Sequence, residues 1–259
     1  MSVTVVTERR QDVALVKLTR PETNNALNIE TITRLRAAFE DISADASISA
    51  VVLSGEGKSL CAGADIGWMR DSGTLKTEEN VDDLMRLGHM LQTLRQMPQT
   101  TIVRVHGPIY GGGVGLVAAC DIAIGSTGAT FCLSEVRLGI APGMIAPYVQ
   151  RVMGERMARR YFQTAEVFDA EEARRLGLLH EVVPTECLDE RVDKLINQLR
   201  FAAPAARAAA KLITDDIAGD PVNEALLSDI AAFTAGLRSR PDAREGLPAF
   251  FEKRKPRWR

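Results

Sequence analysis

The chain has 259 residues, 46% of them hydrophobic and 25% charged, with a formal net charge of −2 at pH 7. That length and apolar share support a sizeable core in one domain or in a domain with an appendage. A sequence pI of about 6.0 excludes the generally basic surface with which nucleic-acid binders displace counterions.

Val3 to Glu8 and Val13 to Thr19 alternate as strands, and the Arg-Arg-Gln-Asp link between them suits a hairpin. A helix capped by Asn28 follows, with Ile32, Leu35, Ala38, Phe39 and Ile42 on one face. Ala50 to Ser54 is a short apolar strand. Val81 to Met97 is predicted helical, with Leu84, Leu87, Leu91 and Leu94 on one side, and Thr101 to Val105 is again a strand. Gly113 to Ala119 reads as a small-residue helix, with strands at Asp121 to Ile124 and Thr130 to Cys132. Beyond that, helices are predicted at Arg156 to Thr164, Ala170 to Leu176, Thr185 to Arg200, Ala205 to Asp215 and Asn223 to Leu237, interrupted by a strand at Leu179 to Val183. Alternation of strands and helices marks an α/β fold class.

Two glycine-bearing loops, Cys61-Ala-Gly-Ala-Asp65 and Tyr110-Gly-Gly-Gly-Val-Gly115, each follow an apolar run, and Glu135 follows the second. Alone, the glycines would only make tight turns, and the glutamate would only be a carboxylate favoured at a helix start. Together they suggest two backbone N–H groups aimed at one oxygen with a single acid/base beside them, the equipment for making and reprotonating an enolate. The other constellations are poor. His89, His106 and His180 show no metal-ligand spacing, no nucleophile elbow is present, and the glycine triplet lacks the dinucleotide fingerprint. No metal and no separate cofactor are expected. The four cysteines form no Cys-x-x-Cys pair, and neither a basic-then-apolar leader nor an eighteen-residue apolar run is visible. Reduced thiols, a cytoplasmic location and no membrane contact are therefore expected.

Arg20-Pro21 with Asn25 to Asn28, Ser59 to Asp65, Gly111 to Gly113, Cys120-Asp121, Glu135 with Leu138 to Gly143, Ala173 to Gly177 and Phe250 to Lys255 stand in the order and spacing of one family. On these the chain resembles the enoyl-CoA hydratase/isomerase (crotonase) family over nearly its whole length. The resemblance implies a superhelix of repeated strand-strand-helix units over residues 1–195. It also implies a helical C-terminal region over 196–259 that closes the coenzyme A site and builds trimers, often paired into hexamers. It puts the oxyanion donors at Ala64 and Gly112 and the proton-handling carboxylate at Glu135. Coenzyme A then arrives as part of the acyl-CoA substrate. Its adenine is expected near Leu60 to Ala62, its nucleotide beside Arg20 and Leu27, and its 3′-phosphate at Lys253 or Lys255. Asp65, Trp68 and Pro142 complete the candidate substrate-binding residues, with Trp68, Met69 and Tyr148 either lining the acyl pocket or filling the core.

Where two-glutamate hydratases of this family carry their other carboxylate, this chain has Gly115. A single glutamate suits a 3,2-enoyl-CoA isomerase, or hydration by one residue that takes a proton from water and returns it to the alpha carbon. Gly115 either enlarges the pocket for a branched acyl chain or permits close helix packing. Ile66 to Met69, Tyr110 to Ile124 and Leu133 to Gly139 are similar to bacterial hydratases of branched, carboxylated enoyl-CoAs, of the 3-methylglutaconyl-CoA and isohexenylglutaconyl-CoA kind. These serve leucine and acyclic terpene breakdown. Such a substrate would bring a second carboxylate, for which Arg137 is the nearest candidate partner, with a solvated arginine as the alternative. A non-catalytic acyl-CoA-binding chain and an RNA-binding chain using the basic terminal run are the rivals from other classes.

Overall fold

A computed structural model describes residues 3–258. The chain opens with a hairpin, β1 (Val5–Arg10) against β2 (Val13–Leu18). Its turn is Gln11-Asp12, with Gln11 at φ 59; Arg9 and Arg10 stay paired in the ladder, so the link is shorter than the four residues expected. Helix α1 (Ile29–Ala44) starts where the Asn28 side chain accepts from the Thr31 amide, and Ile32, Leu35, Phe39 and Ile42 are buried.

Then come β3 (Ala50–Gly55), α2 (Ile66–Ser72), α3 (Thr77–Gln96), β4 (Thr100–Val105), β5 (Pro108–Tyr110), α4 (Gly112–Ala119), β6 (Ile122–Ser126) and β7 (Thr130–Cys132). A single 3-10 turn at Glu135–Leu138 leads to α5 (Ala146–Met153), α6 (Glu155–Thr164), β8 (Phe168–Asp169), α7 (Ala170–Arg175), β9 (Glu181–Val183) and α8 (Leu188–Leu199).

The strands form two sheets. One runs β1-β2-β3-β4-β6-β9, parallel except at the hairpin, and the other runs β5-β7-β8. From β4 to β7 consecutive strands therefore alternate between sheets, and β4-β5-α4 and β6-β7-α5 are two turns of a strand-strand-helix coil. This is the α/β superhelix implied by the resemblance. One apolar core, with Phe39, Phe131, Leu18 and Leu53 fully buried, holds both sheets to their helices.

The chain divides into two compact units between Asp193 and Lys194. The second contains α9 (Pro204–Asp216), α10 (Glu224–Arg238) and α11 (Pro241–Phe251). Its terminal run folds back on α11. Arg254 pairs with Glu245 at 2.6 Å, the Arg257 amide donates to the same carboxylate at 3.0 Å, and the Trp258 ring lies against Gly246. No helix of the described residues is long and apolar enough to cross a membrane.

Candidate active site

Three segments of the coil end at one place. Leu27 and Ala64 form a parallel bridge in which the Leu27 amide donates to the Gly63 carbonyl at 2.7 Å and the Asp65 amide donates to the Leu27 carbonyl at 2.8 Å. That pattern leaves the Ala64 N–H unused. Strands β5 and β7 run parallel with Tyr110 opposite Cys132, and the Gly111 amide donates to the Cys132 carbonyl at 3.0 Å. Gly112, two residues beyond β5, and Glu135, three beyond β7, are thereby delivered side by side.

Glycine is required at two points in this junction. Gly111 takes φ 43, and a Cβ there would lie 2.9 Å from Glu135 Oε1. A Cβ on Gly113 would lie 2.3 Å from the Cys61 carbonyl, so its absence lets the two loops meet backbone to backbone.

Neither the Ala64 nor the Gly112 amide donates to a partner among the described residues, and both residues are only half-buried. Gly112 begins α4, so its N–H is one of the donors that a helix start leaves free. Glu135 Oε2 is buried without a hydrogen-bond partner. Burial pushes the Glu135 carboxyl above its ordinary value of 4.5, opposed by its own backbone N–H. Two free donors and a reluctantly ionised carboxylate therefore face the same cleft, of about 550 Å³.

The cleft lies within the first unit. It brings together Leu27, Ala62, Ala64, Trp68, Gly112, Glu135 and Pro142 of the candidate residues, and Met69 with them. Tyr148 packs against the core instead. Five candidates lie outside the cleft lining. Leu60 is fully buried and donates its amide to the His106 carbonyl, away from the cleft wall. Arg20 and Asp65 form an ion pair with each other behind the wall. Arg137 gives its guanidinium to the Ala165 carbonyl and does not line the cleft, so it is not poised for a second substrate carboxylate. Lys253 is exposed in the second unit.

Sequence reasoning missed Asn80, Asp83 and Ile145, all on the wall. Asp83 accepts from Trp68 Nε1 at 3.3 Å. The signal was available, since Asn80 and Asp83 continue the Leu84, Leu87, Leu91 stripe at helical spacing, and polar residues extending an apolar stripe mark where a helix leaves the core for a cleft.

Of the two readings of Gly115, a larger pocket or close helix packing, the structure favours packing. A Cβ on Gly115 would meet Ile145 Cγ2 at 2.4 Å, and Ile145 is 3% exposed. Gly115 therefore serves close packing of α4 on the start of α5. Gly115→Ala is expected to lower stability by about 1–3 kcal/mol despite alanine's better helix propensity. Urea unfolding checks this, and adding Ile145→Ala should recover part of the loss.

Residues 8–259 match the family described as enoyl-CoA hydratase/isomerase. A crotonyl-CoA hydratase of Syntrophomonas wolfei is 30% identical over 254 residues, covering 97% of this chain and 96% of that protein. A short-chain-enoyl-CoA hydratase of Clostridium acetobutylicum is 33% identical, covering 97% and 95%. The crystal structure of an enoyl-CoA hydratase from Shewanella pealeana superposes with a TM-score of 0.96 at 34% identity, over 99% of this chain and 96% of that one. With the two-sheet coil and the paired loops already described, these matches show that the chain belongs to the enoyl-CoA hydratase/isomerase (crotonase) family.

Proposed function

We propose that this protein is an enzyme that adds water across the 2,3 double bond of an enoyl-CoA, using one carboxylate for both proton transfers. The observation that carries the reading is the convergence of two unpartnered amides, at Ala64 and Gly112, with the unpartnered Oε2 of Glu135. Glu135 takes a proton from water as the water oxygen bonds to C3. The electron pair of the double bond moves toward the thioester, and its oxygen becomes an enolate held by the two N–H groups. When the enolate collapses, C2 takes the proton back from Glu135, so one water has been added and the carboxylate is regenerated. A desolvated carboxyl with a raised pKa is suited to both directions of transfer.

For the acyl group, Trp68, Met69, Leu84 and Leu87 offer an apolar wall that fits a short branched chain. The sequence similarity to hydratases of 3-methylglutaconyl-type thioesters favours a carboxylated version and a place in leucine or terpene breakdown. Among the described residues, however, no arginine or lysine lines the cleft, so the uncharged branched chain is the better fit. Assembly into trimers or hexamers, a cytoplasmic location and a phosphate contact at Lys253 rest on the family resemblance alone and belong to the same reading.

Having no second carboxylate at Gly115 also suits double-bond migration, which sets the test. The purified chain is offered crotonyl-CoA, 3-methylcrotonyl-CoA, 3-methylglutaconyl-CoA and a 3-enoyl-CoA, followed by absorbance and mass. Gain of one water with loss of the conjugated absorbance, fastest on 3-methylcrotonyl-CoA, is expected. Conversion of the 3-enoyl to the 2-enoyl thioester without water addition would make the protein an isomerase, and faster hydration of 3-methylglutaconyl-CoA would restore the carboxylated substrate.

A further inference from the structure

Arg20 and Asp65 face each other behind the cleft wall, with Nη2 2.8 Å from Oδ2 and side chains only 15% and 17% exposed. Each is anchored to a different side of the bridge that presents Ala64. Arg20 Nη1 donates to the Ala26 carbonyl at 2.8 Å, and the Arg20 amide donates to Asn25 Oδ1 at 2.9 Å. Asp65 Oδ1 accepts from the Gly67 amide at 2.9 Å and the Trp68 amide at 3.4 Å, capping α2. The guanidinium therefore joins residue 26, on the Leu27 side, to residue 65, on the Ala64 side. Between them lie only the two backbone hydrogen bonds of the Leu27 and Ala64 bridge.

We propose that Arg20 is a positioning residue: by forking between Ala26 and Asp65 it fixes the direction in which the Ala64 N–H points, without touching substrate. The inference rests on Ala64 being an oxyanion donor, as in the proposed function. Three features support it. The pair is largely desolvated, so breaking it leaves a charge without its partner beside the donor loop. The fork is specific to arginine, because a lysine ammonium cannot hold a carbonyl and a carboxylate in one fixed plane. Burial works against the ionised Asp65, yet Arg20 and the Trp68 and Gly67 amides outweigh it and hold the carboxyl below its ordinary value, as a clamp under charge requires.

A nucleotide-contacting Arg20 and a positioning Arg20 make opposite kinetic predictions, since lost substrate contact raises KM whereas lost orientation lowers kcat. Arg20→Met and Arg20→Lys are compared with wild type in the full chain by three readouts. These are kcat on crotonyl-CoA, the dissociation constant of the non-reacting butyryl-CoA, and the enolate absorbance of bound acetoacetyl-CoA, which reports oxyanion stabilisation without turnover. For Arg20→Met, kcat is expected to fall about ten- to a hundredfold with the enolate absorbance reduced in parallel. Butyryl-CoA affinity should change by less than about threefold, with Arg20→Lys intermediate in kcat.

Weakened butyryl-CoA binding with kcat unchanged would overturn the proposal in favour of nucleotide contact. Wild-type kcat and absorbance in the variant would reduce the pair to a structural tie and overturn it equally. Should Arg20→Met not fold, Asp65→Asn, which keeps the Oδ1 acceptor of the α2 cap while losing the charge, carries the same comparison. If wild type hydrates no thioester, the hydratase reading fails while the acetoacetyl-CoA absorbance still judges the clamp. A wild type that binds acetoacetyl-CoA without that absorbance overturns the clamp together with its donor.

Discussion

Glu135→Gln lowers kcat for hydration about a hundred- to ten-thousandfold while leaving thioester affinity nearly intact, because glutamine preserves shape but neither accepts a proton from water nor returns one. The pH profile provides the matching test. Glu135 must be ionised to act on water, and burial raises its pKa above 4.5. The acid limb of kcat should therefore fall as pH drops through a value above that of an ordinary carboxyl. Stability carries the opposite sign: the folded chain holds this proton more tightly than the unfolded one, so the contribution of Glu135 is most favourable below its unfolded pKa. It is lost as pH rises through the folded pKa. Glutamine, which does not ionise, should remove both dependences. A variant with an unchanged acid limb would show that another group sets it.

Gly112→Pro lowers kcat by about a hundred- to a thousandfold, the usual loss for one oxyanion donor. The substitution deletes a single N–H at the first position of α4, where proline is tolerated because that amide has no intrahelical acceptor. The nearest obstacle to the new ring carbon is the flexible tip of Leu27, 3.1 Å from an ideal Cβ. Thermal unfolding close to wild type, with butyryl-CoA still bound and turnover lost, is the expected combination. Retained turnover would remove Gly112 from the oxyanion site. These two substitutions separate the base from the donor, which no single rate measurement on wild type does.

The chemistry was more legible in the sequence than the walls that shape it. Ala64, Gly112 and Glu135 each follow a strand-like run after a fixed short spacing, and the parallel pairing of β5 with β7 turns those spacings into proximity. Sequence periodicity missed α11, of 11 residues and with Pro248 inside it, and four short elements, α2, β5, α5 and β8, of 7, 3, 8 and 2 residues. Segments of that length hold too few turns or alternations to show a period. Helix α3 begins at Thr77 rather than Val81 because its first turn is capped by polar contacts, with the Lys76 amide donating to Glu79, and carries no apolar stripe to announce it. Arg20 and Asp65 were visible as residues, but their pairing spans 45 positions, and no local pattern reveals that each spends its charge on the other. Arg137 was misdirected for the same reason, since its acceptor, Ala165, lies in the turn after α6.

The in-register joining of Tyr110 to Cys132 also bears on which parts of this chain can change in length. Because Glu135 stands three residues beyond the end of β7 and Gly112 two beyond the end of β5, one residue inserted in either short link would displace the carboxylate or the amide from the place where they meet. The segment joining α2 to α3, residues 73–76, answers to no such ladder, and the helices on either side of it present Trp68, Ser72, Asn80 and Asp83 to the cleft. Insertions and deletions are therefore tolerable along that wall of the cleft and disruptive where Ala64, Gly112 and Glu135 meet. A lineage built on this coil can change what it accepts through residues 66–87 while inheriting unaltered the means of reacting with it.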